Sequence, residues 1–415
     1  MILLNALSIF VLSGLFFKQA GREHPRLFWV ALLFKVAMAV SLGLVYLHYY
    51  TANDTWLFFK DAATLADYAR HDFGSYIQFL WSNDQRHLIE ISNMQERSLF
   101  LVKIISFFSL IGGNNYWIAA IYFSLISFIA SWNLFKVITR NFANSQSAAA
   151  LAFLFFPSII FWSSGLVKET LALAGIYFVA LVSIKTIKSE KIFWWEWIIA
   201  VLAFYAAWNL KYYWAALFMA VVTTSILVFF LQKRIKLLNQ HKLIGWGVIF
   251  LSLASLASLS HPNFYLSRFL DVLISNHNDF LKISRPDGII HYYNLTASWW
   301  SIFINSPWAF LSGLFRPFVW EASGLTSLLA SFENLFLMVL VVASFFRKWP
   351  RSKDLLLLSS AVYIILLCIF LALSTPNLGT LSRYRTGFLP FFIFIISYRN
   401  PLLDYFSDRV RFLNK

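Results

Sequence analysis

A single cysteine, Cys368, among 415 residues excludes an internal disulfide framework and a CxxC metal or redox pair. It lies inside a hydrophobic run and reads as a small apolar packing residue. Charge is scarce as well: Asp, Glu, Lys and Arg make up 13% of the chain, against roughly 25% in soluble domains. Hydrophobic residues make up 60%, which leaves too little polar surface for a water-soluble globule. No GxxxxGK[ST], HExxH, GxSxG or DxD pattern occurs, so the local signatures of nucleotide, zinc-protease and serine-hydrolase chemistry are missing. The first apolar run, 2–17, has no basic residue before it, whereas Lys18, Arg22 and Arg26 follow it. A signal peptide has the reverse polarity, so this run is expected to remain as a span with its N-terminus outside.

Long apolar runs and aromatic rings are what the chain has in plenty. Crossing a hydrocarbon core takes about 20 apolar residues. Such runs recur at 2–17, 27–48, 116–135, 146–163, 168–184, 194–208, 213–231, 244–259, 325–345, 354–373 and 386–398. The sequence therefore predicts an all-α membrane protein, a single polytopic domain over 1–415 with about eleven transmembrane helices. The 18 Tyr and 17 Trp favour the headgroup level, where a ring is buried while its polar tip stays wet.

The net charge of +15 comes mainly from short loops. Lys18/Arg22/Arg26, Lys136/Arg140, Lys185/Lys188/Lys191, Lys233/Arg234/Lys236/Lys242, Arg347/Lys348/Arg351/Lys353 and Arg399/Arg409/Arg411/Lys415 all fall on one side of the predicted threading. The positive-inside rule makes that side cytoplasmic and puts the C-terminus there. No basic stripe or nucleic-acid fold motif accompanies the charge, so nucleic acid is excluded as a partner; the bilayer is the first partner.

Three segments on the opposite side are too long or too polar to be turns. The first outer loop, 49–115, holds Asp54, Asp61, Asp67, Asp72, Asp84, Glu90 and Glu96. Within it, Trp56–Tyr68 reads as a helix, and 98–111 as an apolar helix lying in the interface. The second large outer loop is 260–324, with a polar half and an apolar half broken at Pro307 and Pro317. The third, 374–385 (STPNLGTLSRYR), ends in two arginines at a span entrance.

Candidate chemistry rests on ionisable residues in costly places. Asp54 and Asp61 are two helical turns apart, on one face and about 10 Å from each other along the axis. A carboxylate beside Trp56, Phe58 and Phe59 suits a general base; the alternative is that these acids solvate an outward loop. Lys168 and Glu169 follow a hairpin tip at which Pro157 loosens the incoming helix and Gly165 permits the turn. They read either as a headgroup anchor with a helix N-terminal acid or as a contact to an anionic phosphate. Arg383 and Arg385 flank Tyr384 on a face that otherwise avoids positive charge. Guanidinium forks grip phosphate oxygens, although balance against loop acids would also account for them. Arg316 and Glu321 raise the same question, or simply pair with one another. His71, His87, His261, His277 and His291 lack zinc-like spacing.

With these residues in place the chain resembles the GT-C superfamily of polytopic membrane glycosyltransferases. A span leads into a long outer loop that opens with an acid, NDTWLFFKDAATLADYA, and contains an interfacial helix. A hairpin with a polar tip follows, FFPSIIFWSSGLVKE, and a late loop enters the last span through an Arg-Tyr pair, LSRYRTGFLPFF. The resemblance implies transfer of a sugar from a polyprenyl-phosphate donor on the non-cytoplasmic face, in surface glycan assembly. It assigns Asp54 to activating the acceptor or binding a divalent metal, with Asp61 beside it. It assigns Arg383, Arg385 and Lys168 to the lipid phosphate, with Glu169, Tyr384 and Arg316 around them. The acceptor would be small, lipid-borne or supplied by a partner protein. A polysaccharide polymerase or ligase acting on lipid-linked glycans fits the 260–324 loop almost as well. A transporter would need mid-span charges and paired broken helices; Lys35 is the clear mid-span charge. A membrane scaffold without activity is the remaining class.

The threading is tested by single cysteines. Placed at Ser92 and Asn278 they are expected to react with impermeant thiol reagents added outside intact cells, and one at Asn239 is not. Equal labelling of Asn239 and Asn278 would reverse the orientation.

Overall fold

Several helices start where a polar side chain takes the free N–H groups of the first turn. Asn115 accepts from Trp117 and Ile118 at 3.0 and 3.2 Å, Asp354 from Leu356 at 2.9 Å and Asn377 from Thr380 at 2.8 Å. Each opens an apolar run, as helix caps do. A computed structural model of the chain describes residues 1–50, 53–82, 91–92, 95–260, 265–347 and 354–409. Asp84, His87, Glu90, His261, Lys348, Arg351, Lys353, Arg411 and Lys415 lie outside the described residues.

The regular structure of the described residues is helical, with one isolated antiparallel bridge between Ile289 and Asn377. The elements are α1 (Ile2–Phe16), α2 (Pro25–His48), α3 (Asp54–His71), α4 (Phe73–Ser82), α5 (Glu96–Gly112), α6 (Tyr116–Asn141), α7 (Gln146–Ala150), α8 (Pro157–Trp162), α9 (Lys168–Ile187), α10 (Trp194–Leu231), α11 (Lys236–Gln240), α12 (Lys242–Ser260), α13 (Leu266–Ile283), α14 (Trp299–Phe315), α15 (Leu325–Ser344), α16 (Leu355–Ser374), α17 (Leu378–Tyr384), α18 (Leu389–Ser397) and α19 (Pro401–Arg409). Among the described residues, eight helices are long and apolar enough to cross a membrane. They mark an integral, multi-pass membrane protein.

Four of the expected crossings have a different form. The runs 194–208 and 213–231 are joined in α10, whose backbone leaves helical geometry at Lys211 (φ −142°, ψ 64°). Unbroken, 38 residues would reach about 57 Å, far beyond a core of roughly 30 Å; the break falls near the middle of that length. The run 146–163 is interrupted at Phe156, because Pro157 has no N–H to continue the ladder. The next free N–H, on Ser158, is taken by the Glu333 carboxylate at 2.9 Å. The run 386–398 contains the nine-residue α18.

Helices α6 and α9 form the centre, the most buried of the candidate spans. Gly175 lets α9 and α10 approach closely, since a Cβ there would collide with the Ala203 carbonyl and Ala207. The first long loop adds α3, α4 and α5; of these α4 had no counterpart in the sequence reading. The basic loops meet one another at one end, through Lys136–Glu23 at 3.3 Å, Arg140–Glu190 at 3.1 Å and Lys188–Asp354 at 2.8 Å.

Gly175→Ala is expected to lower stability by about 1–3 kcal/mol through overpacking. Gly247, with nothing within 4 Å of a built Cβ, supplies the control. Thermal unfolding of the purified protein should show a lowered midpoint for Gly175→Ala and none for Gly247→Ala. Equal midpoints would mean that α9 and α10 can separate without cost.

Candidate functional site

At the end of the bundle opposite the basic loops, the hairpin before α9 is fixed from several sides. Gly165 turns the chain in the left-handed region (φ +70°). Its N–H donates to Ser124 Oγ at 2.9 Å, and its carbonyl accepts from Thr170 Oγ1 at 2.9 Å. Thr55, in the first turn of α3, donates to the Leu166 carbonyl at 3.0 Å. Lys35, the mid-span charge, donates to Ser163 Oγ at 2.6 Å. These ties deliver Lys168 and Glu169 to the first turn of α9 in a set position.

Glu169 has no solvent exposure. Its two oxygens meet Arg383 Nη2 at 2.8 Å and Lys211 Nζ at 2.7 Å. The carboxylate thus joins the break in α10 to α17. Lys211 Nζ also lies 3.7 Å from the centre of the Tyr384 ring, a favourable place for a cation. Arg383 donates to the Tyr46 hydroxyl at 3.0 Å and stands 3.6 Å from Asp54 Oδ2. Burial works against the Arg383 charge, but Glu169 more than offsets it and holds the guanidinium above its ordinary pKa.

These residues surround a cavity of about 370 Å³. Asp54, Arg97, Lys168, Lys211, Arg383 and Tyr384 line it, with Phe280 of α13 and Phe370 of α16 among its apolar walls. Lys168 donates to Ser98 Oγ at 2.9 Å, and Arg97 lies 4.4 Å from the Tyr212 ring centre. Four cations face Asp54 at the wall and Glu169 beneath it. The excess of positive charge, in a bundle of apolar helices, suits an anion with an apolar attachment.

The sequence-predicted residues separate accordingly. Asp54, Lys168, Arg383 and Tyr384 line the cavity, and Glu169 supports it. Asp61 is buried two turns along α3, accepts from the Ser92 N–H at 3.2 Å, and does not line it. Arg385 is fully buried, donates to the Leu314 carbonyl at 3.3 Å, and turns away from the cavity. Arg316 pairs with Glu321, Nη2 to Oε1 at 2.6 Å. His277 bonds the Leu373 carbonyl at 2.7 Å and ties α13 to α16; burial lowers its pKa. Among the described residues no group of three or more His, Cys, Asp or Glu converges as for a metal ion. Arg97 and Lys211 were missed. A lone lysine in NLKYYW, between two apolar runs, was the available signal for Lys211. No family model, curated protein or solved structure matches the chain.

Glu169→Gln leaves Lys211 and Arg383 buried without their shared carboxylate. Breaking a buried pair costs about 3–5 kcal/mol, so a large fall in the unfolding midpoint is expected. Asp67→Asn removes the more exposed partner of Arg70 and should cost less than about 1 kcal/mol. Matching midpoints for the two variants would mean that water, not Glu169, keeps those cations charged.

Proposed function

We propose that the protein is a membrane glycosyltransferase that moves a sugar from a polyprenyl-phosphate-linked donor to an acceptor hydroxyl during surface glycan assembly. The observation that carries this reading is the cavity in which, among the described residues, Arg97, Lys168, Lys211 and Arg383 surround a single lining carboxylate, Asp54. Its volume of about 370 Å³ falls in the ordinary range for small-ligand sites, roughly 300–1,000 Å³. A phosphate held by a prenyl tail meets both demands of such a place: negative charge for the cations and apolar mass for the bilayer.

In this reading the chain crosses the bilayer eleven times. The broken 146–163 and 386–398 segments count as crossings, and Lys211 sits at the tip of a hairpin within α10. The N-terminus is outside, the C-terminus is cytoplasmic, and the cavity opens on the non-cytoplasmic face. That orientation follows from the basic loops gathered at the other end.

Transfer forms a bond from the acceptor oxygen to the anomeric carbon and breaks the bond from that carbon to the phosphate. The bonding pair leaves on the phosphate, which keeps its prenyl tail and remains in the bilayer. Arg97, Lys168, Lys211 and Arg383 stabilise the charge that grows on that oxygen. Asp54, half exposed at the N-terminus of α3, receives the proton of the acceptor hydroxyl. Its place 3.6 Å from Arg383 puts base and phosphate cation in one cavity, within reach of one bound donor. Glu169 acts as a positioning residue, orienting Lys211 and Arg383.

Turnover and binding with a panel of polyprenyl-phosphate sugars test this. Asp54→Asn is expected to lower turnover at saturating donor by about 10²–10⁴-fold, with donor affinity within a fewfold. Lys168→Gln and Arg97→Gln each remove a charge-assisted contact of roughly 1.5–3 kcal/mol. They should weaken prenyl-phosphate binding by about 10- to 150-fold. Asp54→Asn activity within a fewfold of the parent would remove it as the base. A parent protein that neither binds nor turns over any donor would overturn the whole reading.

A further inference from the structure

A second, larger cavity of about 830 Å³ lies between α1, α6, α9 and α10. Helix α1 touches the bundle at two places. Near its start, Asn5 donates to the Ile111 carbonyl at 3.1 Å and accepts from the Tyr122 hydroxyl at 3.0 Å. Near its end, Phe16 packs on Phe28 and Phe128 with ring centres 5.7 and 6.3 Å apart. Beside these contacts runs an open trough walled by Leu12, Leu125, Ile129, Phe178, Leu181 and Ile199. An apolar gap of this size inside a bilayer forfeits dispersion contacts unless hydrocarbon fills it.

One end of the trough is charged, with Lys136, Arg140, Lys185 and Glu196 in its wall. Lys136 and Arg140 also line a neighbouring cavity of about 410 Å³, whose other walls are Glu23, His24, Thr139, Asn144, Ser145 and Gln146. The order along this path is therefore apolar trough, two cations, then a mainly hydrogen-bonding wall that includes one carboxylate, Glu23. That is the order of acyl chain, phosphate and hydroxylated headgroup in an anionic glycerophospholipid. We propose that the trough is a binding site for such a lipid, its phosphate between Lys136 and Arg140 and its glycerol headgroup in the polar cavity. The site does not depend on the transferase assignment, and it lies at the other end of α6 and α9 from the cavity around Asp54.

The present partners of the two cations do not compete strongly. Lys136 pairs with Glu23, which is 65% exposed, and the Arg140 of the Arg140–Glu190 pair is itself 57% exposed. Surface pairs contribute about 0–1 kcal/mol, so Glu23 can return to water when a phosphate arrives, while Glu190, 20% exposed, keeps the Asn141 amide as a donor if Arg140 turns to the phosphate. Lys185 and Glu196 are nearly buried and paired with each other, and they form a neutral floor. The lipid would fill the space under α1 and tie that helix to α6 and α9.

Thermal unfolding of the full-length protein in detergent, titrated with phosphatidylglycerol, phosphatidylcholine or polyprenyl phosphate, tests the proposal. Phosphatidylglycerol is expected to raise the midpoint by several degrees in a saturable manner, and phosphatidylcholine to do much less. Arg140→Gln and the double variant Lys136→Gln/Arg140→Gln should lose at least about tenfold in apparent phosphatidylglycerol affinity, as expected for a charge-assisted contact. Ile129→Trp fills the trough without touching either cation and should abolish the same response, which covers the case in which the double variant fails to fold. Equal responses to phosphatidylglycerol and phosphatidylcholine, or an unchanged response in Arg140→Gln and Ile129→Trp, would overturn the site. Tighter binding of polyprenyl phosphate than of phosphatidylglycerol, lost in the same variants, would overturn the glycerophospholipid assignment.

Discussion

A carboxylate with no exposure to water has to find positive charge, and much of the cavity end of this protein follows from that need. Glu169 sits in the first turn of α9, where the helix dipole favours an acid but does not neutralise it. Lys211 and Arg383 complete the neutralisation. To reach it, α10 gives up helical geometry at Lys211, and α17 brings Arg383 down beside Tyr46 and Asp54. A late loop, the middle of a 38-residue helix and the first long loop thus converge on one group. The excess cations that result make the cavity suited to an anion.

Much of this was legible because hydropathy and local turn chemistry act over short distances. The apolar runs became helices, Gly165 made the turn, Pro157 broke the incoming helix, and Asp54 opened α3. The site was legible in part. Arg383 and Lys168 stood out because each is a charge at an apolar boundary. What failed was geometry between neighbours. Two residues apart on a helix are about 200° apart in direction, so Arg383 and Arg385 cannot both face the cavity, and Arg385 turns inward to the Leu314 carbonyl. Asp54 and Asp61 do share a direction on α3. The second lies about 10 Å deeper and is buried away from the opening.

The residues missed altogether depend on long-range partners. Arg97 is exposed and unremarkable until Tyr212 lies beneath it. Lys211 looks like a polar interruption between two spans, and no local pattern announces the acid waiting for it in α9. Charge at the opposite end was easier to sort, because each basic loop obeys the same rule independently. The loops grouped by that rule also meet in space, through pairs such as Arg140–Glu190 and Lys188–Asp354.

The separation in sequence between Glu169 and its partners also orders the birth of the protein. Arg383 lies 214 positions after Glu169, so a ribosome delivers the acid long before its second cation. Lys211 emerges with the next helix and is the earlier companion. From then until α17 is made, α9 and α10 must hold that carboxylate as a pair, and their close approach at Gly175 gives them the contact surface to do so. The pair of α9 with the first half of α10 is thus the unit that has to hold together first, while the cavity is finished only once α17 has been made.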